Sequence, residues 1–137
     1  ADSSVQRLKA KLRALWRQGR GRSLRPFIAE LTPILRGWTG YFRLSEVKGV
    51  FEALDGWVRR RLRVMLWRQW KRPRTRAQRL VQLGLDRPRA FRSAYNGHGP
   101  WWNAGASHMN QAVPTRLLRY LGLASCLDEY HRLARPH

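Results

Sequence analysis

Acidic residues are scarce in this sequence: 8 Asp+Glu stand against 28 Lys+Arg in 137 residues. A two-metal polymerase or nuclease site needs carboxylates that converge, and eight dispersed acids supply no such set. Asp55 comes nearest to a catalytic carboxylate but has no convincing paired acid, and the adjacent Asp128 and Glu129 read as charges at a helix N-terminus. Cysteine is nearly absent as well. Cys126 stands alone, so no internal disulfide can form, and a reducing, intracellular setting fits. His98, His108, His131 and His137 are scattered, without CxxC or HExxH spacing, so we expect no metal site. There is no P-loop and no Gly-x-Ser-x-Gly, and no apolar run approaches the roughly 20 residues that span a bilayer. The opening ADSSVQRLKAKLRALW has no signal-peptide architecture. Alternating strand patterns, heptads and internal repeats are missing too. We therefore expect no catalytic centre, no cofactor and no membrane partner.

What is present is positive charge on a chain able to build a core. Hydrophobic residues make up 43%, with seven tryptophans among them, which separates this chain from a disordered basic tail. The net charge is +20, and it is uneven: residues 1–92 carry 24 of the 28 bases and 6 of the 8 acids. Self-repulsion on that scale is relieved by a polyanion, most commonly nucleic acid. Arg outnumbers Lys 24 to 4. That ratio reflects either a compositional bias or a demand for planar donor forks that suit phosphate and base edges.

Apolar periodicity predicts an all-α fold. Val5, Leu8, Leu12, Leu15 and Trp16 mark a first helix, capped by Ser3 or Ser4 and stopped at Gly19. A second runs from about Leu24 to Leu44, with Pro26 in its first turn and a kink or restart at Pro33, Thr32 being the new cap. Gly37 and Gly40 suggest close approach of another backbone. A third, over about 45–72, would be roughly 40 Å long. On it Val47, Phe51, Leu54, Val58, Leu62 and Met65 form one stripe, the expected core, while Arg59, Arg60, Arg63, Trp67, Trp70 and Lys71 fall opposite. Either a second protein layer covers Trp67 and Trp70, or their rings meet RNA beside Arg–phosphate contacts. Core packing is expected for Trp16, Trp38 and Trp57. Further on, Thr75 caps a short helix ended by Gly84, and Asp86 caps another to Tyr95. NGHGPWWNAGAS reads as a loop, Pro114 to Leu121 as a helix closed by Gly122, and Ser125 with Asp128 as a capping box for a last helix ending near Leu133.

Three segments in order carry a family resemblance: Arg36-Gly37-Trp38 with Tyr41-Phe42-Arg43, then Leu54-Asp55-Gly56-Trp57-Val58-Arg59-Arg60-Arg61-Leu62-Arg63, then Trp67-Arg68-Gln69-Trp70-Lys71. Together they resemble the maturase-specific region, also called domain X or thumb, of bacterial group II intron reverse transcriptases. Gly99-Pro100-Trp101-Trp102-Asn103 and Leu121-Gly122-Leu123-Ala124-Ser125 resemble the DNA-binding region that follows it. The resemblance implies a three-helix thumb over 1–74 and a smaller, loop-rich helical subdomain over 75–137. It implies that the chain is an RNA-binding splicing aid that stabilises the catalytic intron RNA and supports the template–primer duplex. Implied partners are that RNA, the RNA/DNA duplex, target DNA and the palm and fingers of the parent polypeptide, in the bacterial cytoplasm. Magnesium would belong to the RNA or to the palm. The Tyr-x-Asp-Asp palm and a Cys/His-rich endonuclease are missing here, so the chain is expected to be no enzyme by itself and to be either an excised part or a natural remnant.

The expected RNA contacts are Arg36, Arg43 and Lys48 near a helix junction and a strip of Arg59, Arg60, Arg63, Trp67, Arg68, Trp70, Lys71, Arg72, Arg74, Arg76 and Arg79. Trp38, Phe42 and Trp57 are expected to fix helix geometry, and residues 99–103 to be a structural loop, with contact to nucleic acid as the alternative. Two alternatives stay open: a DNA-binding module whose short helices over 75–95 form a helix-turn-helix-like pair, and a scaffold whose Trp67/Trp70 face docks a protein.

Overall fold

The computed structural model describes residues 2–134, the side chain of Asp2 excepted; His137 lies outside them. It is all-α, with no strand among the described residues. In chain order the helices are α1 (Asp2–Gln18), α2 (Leu24–Phe42), α3 (Lys48–Gln69), α4 (Pro73–Gln82), α5 (Arg87–Ala94), α6 (Pro100–Gly105), α7 (Ser107–Ala112), α8 (Thr115–Tyr120) and α9 (Cys126–Ala134). The chain packs as two units, one taking the chain up to Trp57 and again from Arg119, the other Val58–Leu118. Helix α3 runs through the division at 57/58, and α9 packs with α2.

In the first unit the core is built by Leu8, Leu12 and Trp16 of α1, Phe27, Ile28, Leu31 and Leu35 of α2, and Phe51 and Leu54 of α3. Trp16 meets Phe27 at 5.3 Å and Trp57 at 5.9 Å between ring centroids. Trp57 and Trp38 are only half-buried, so of the three tryptophans expected inside, Trp16 alone is fully covered. Ser4 does not cap α1. It lies inside the helix, and its hydroxyl donates to Glu46 at 3.0 Å. Helix α2 continues through Pro33 without a restart. Thr32 is not a cap; its hydroxyl donates to the Gly122 carbonyl at 2.9 Å and accepts from the Ala124 amide at 3.2 Å. That bond replaces a local one with a partner some 90 residues away. No backbone approaches Gly37, which has open space around it, and Gly40 meets only the tip of Leu133.

Asp55 has a structural task. Its carboxylate accepts from the Cys126 amide at 2.7 Å, the Leu127 amide at 3.0 Å and the Ser125 hydroxyl at 2.8 Å. The first amides of a helix lack intrahelical acceptors, so a side chain from α3 caps α9. Ser125 adds the expected cap, accepting from the Asp128 amide at 3.1 Å, but the Asp128 carboxylate reaches Arg119 instead of returning to close a box. Burial pushes the Cys126 thiol up to about 12, which removes it as a nucleophile.

In the second unit Val58, Leu62 and Met65 carry the apolar stripe onward, and Ala77, Leu80, Ala90, Ala94, Met109, Val113 and Leu118 pack around it. Val47 is the exception to the stripe. It precedes α3 and is 72% exposed, because the helix starts at Lys48 instead of 45. Pro73 opens α4 with Arg72 as N-cap, so Thr75 sits inside it, and Gly84 takes φ +108° just after it. Asp86 caps α5 as expected, accepting from the Arg89 amide at 3.1 Å.

Of the segment 96–107 read as a loop, residues 96–99 are non-helical as expected, but most of the remainder is helical, in α6 and the start of α7. Asn103 explains why. It is fully buried, its amide nitrogen donates to the carbonyls of His98 and Gly99, and its oxygen accepts from Asn96 and faces His108 Nε2 at 2.9 Å. With the amide nitrogen committed to two carbonyls, the facing His108 Nε2 must carry the proton.

Candidate nucleic-acid interface

The expected strip lies on the second half of α3 and on α4, and the structure divides it in two. Arg63 is 5% exposed and donates through Nε to the Val113 carbonyl at 2.8 Å. Burial, with the charge of Arg59 beside it, pushes the Arg63 guanidinium down to about 10. Arg60 is half-buried and donates to the Trp101 carbonyl through Nε at 3.0 Å and Nη2 at 2.7 Å, while its guanidinium lies 4.0 Å from the Trp101 ring centre. Arg76 donates to the Trp67 carbonyl at 3.0 Å and covers the Trp67 ring at 4.7 Å; burial lowers its pKa. These three guanidiniums hold the unit together.

Trp67 and Trp70 are 1% and 8% exposed, packed on each other at 6.2 Å, with His108 against Trp67. Of the two possibilities left by the sequence, the protein layer is the one observed: α7 and Arg76 occupy the face that RNA would have used. Neither ring is available for stacking.

The other part of the strip is open. Arg68, Lys71, Arg72, Arg74 and Arg79 are exposed. Among the described residues Arg68, Lys71, Arg72 and Arg74 have no ion pair and no side-chain hydrogen bond, and Arg79 touches only Gln82 at 3.2 Å. They crowd the sharp connection from α3 to α4, where Lys71 takes φ +54°. Residues 58–118 hold 14 Lys+Arg and a single acid, Asp86, whose carboxylate caps α5 and pairs with none of these side chains. Ion pairs recorded among the described residues, Arg22–Glu30, Arg119–Asp128 and Arg132–Glu129, all belong to the other unit. There too lie Arg36 and Lys48, both exposed, and the half-buried Arg43.

Two features lie outside the expected strip. Trp101 and Trp102 are 44% and 46% exposed on α6. Arg60 covers one face of Trp101, and His98 stacks on Trp102 at 3.9 Å. The doubled tryptophan after Gly-Pro was the available signal, and reading the segment as a loop obscured it. The second is a groove of about 530 Å³ between α1 and α2, walled by Leu8, Ile34, Trp38 and Phe42, with Arg7 and Lys11 on its α1 side. These bases were legible only as the polar face of an amphipathic helix.

No helix among the described residues is long and apolar enough to cross a membrane. No curated protein matches this chain. Residues 5–84, which contain most of α1 and all of α2, α3 and α4, match the family described as group II intron, maturase-specific domain, and with more than half of its length inside that match the chain belongs to this family.

Proposed function

We propose that this chain grips the folded RNA of a group II intron and stabilises the ribozyme's active shape, performing no chemistry of its own. The observation that carries this is the unneutralised edge of Arg68, Lys71, Arg72 and Arg74 on a unit with one acid among 14 bases. Cations set at the ends of two helices and on the short turn between them, with no carboxylate paired to them, bind a phosphate framework by position rather than by base sequence. Family membership supports intron RNA as the source of that framework. Support of a template–primer duplex, contact with the remainder of a reverse transcriptase and splicing magnesium held by the RNA belong to the same proposal. The exposed Trp101 and Trp102 favour a second contact, with unpaired bases of RNA or target DNA, since aromatic faces stack on any base.

The test is to change Arg68, Lys71, Arg72 and Arg74 together to Gln and titrate folded intron RNA at several salt concentrations. The slope of log affinity against log salt should become shallower by about 3, with helicity by circular dichroism unchanged. An unaltered slope and affinity would place the interface elsewhere.

A further inference from the structure

The groove between α1 and α2 is not needed for a phosphate-gripping edge, and it lies in the other unit. Its volume, about 530 Å³, falls within the roughly 300–1,000 Å³ of small-ligand pockets. Trp38 and Phe42, with ring centres 5.1 Å apart, supply an aromatic wall, and Ile34 and Leu8 complete an apolar slot. Arg7 and Lys11 stand one helical turn apart on the same wall, where i,i+4 side chains are about 6 Å apart at Cβ. Both are exposed, and neither has an ion pair among the described residues. Ser4, whose hydroxyl donates to Glu46, also lines the groove.

A slot with an aromatic wall beside two adjacent cations is complementary to one flat ring joined to a phosphodiester. Proteins read RNA in this way, through bases splayed out of bulges and loops and stacked on aromatic side chains. We propose that this groove receives a single unstacked nucleotide of a folded RNA, its base against Trp38 and Ile34 and its phosphates on Arg7 and Lys11. The inference rests on the RNA reading above and adds to it a site that recognises an unpaired nucleotide.

Gly37 makes the test clean. It lines the groove, and a side chain built there meets nothing within 4 Å, so Gly37→Leu fills the slot while favouring the helix. The probe is an RNA hairpin carrying one bulged 2-aminopurine, compared with the same hairpin fully paired, both titrated with the 137-residue chain. The bulged hairpin should bind at least about fivefold tighter, the lower end of what one base–aromatic stack contributes, and its fluorescence should change on binding. In Gly37→Leu the preference and the fluorescence change should vanish while the paired hairpin binds as before. In Arg7→Gln/Lys11→Gln the bulged hairpin should lose more affinity than the paired one. Equal affinities with unchanged fluorescence, or a preference that survives Gly37→Leu, would overturn the inference and leave the RNA reading standing. A chain that binds neither hairpin at low salt would overturn both. Displacement of the probe by an acidic peptide but not by single-stranded RNA would assign the groove to a protein partner and overturn it as well.

Discussion

Arg60, Arg63 and Arg68 lie within nine residues of one another on α3 and do three different things. Arg63 is sealed against the Val113 carbonyl, Arg60 braces Trp101, and Arg68 faces solvent with no acid to meet it. Helical phase placed Arg60 and Arg63 on one basic face and the expected strip added Arg68, but neither could tell which of them α6 and α7 would cover. Asp55 shows the same limit. In the sequence it is a lone acid, and its partners lie about 70 residues on, at the start of α9. Replacing Asp55 by Ala leaves two helix amides and a hydroxyl without their acceptor. We expect a loss of about 3 kcal/mol of stability in urea unfolding, against about half that for Asp55→Asn, which keeps one acceptor oxygen. Equal, negligible effects of the two substitutions would show that α9 is capped by Ser125 alone.

Long apolar periodicities gave the three large helices and their inward faces, since Phe51, Leu54, Val58, Leu62 and Met65 are all buried. Short elements were legible where a side chain caps its own helix, as Asp86 does for α5. They were illegible where the stabilising bond is distant or polar. Helices α6 and α7 are organised around buried Asn103 and His108, not around an apolar repeat, so the glycines and asparagines of that segment pointed to a loop. This polar centre has a pH signature. Burial lowers the His108 pKa below its usual 6.5, and the charge of Arg89 adds to the effect. The unfolded chain therefore binds the proton more readily than the folded one, and the stability is present above about pH 6.5 and lost as pH falls below it. Thermal melts should show a lower Tm at pH 5 than at pH 7.5, with the difference reduced in His108→Gln, whose amide can still donate to Asn103. A difference of the same size in His108→Gln would assign the acid sensitivity to other groups.

For the molecule as a whole, acids are distributed by unit more sharply than by sequence position. Residues 58–118 have 14 bases to one acid, and the remainder of the chain has 14 to seven. The family match ends at residue 84 and so crosses both units. The basic edge at the α3–α4 connection lies inside that match, and Trp101 and Trp102 lie beyond it. Net charge pointed to a polyanion partner, but which cations remain free depends on burial, and burial is set by packing between distant segments. The claim at stake is that these free cations grip a folded intron RNA in preference to any other polyanion. Direct competition between folded group II intron RNA and random-sequence duplex DNA of equal length, at moderate salt, measures it. The intron RNA should win by more than tenfold, a margin of about 1.4 kcal/mol; equal affinity for the two would rule out a preference for the folded intron.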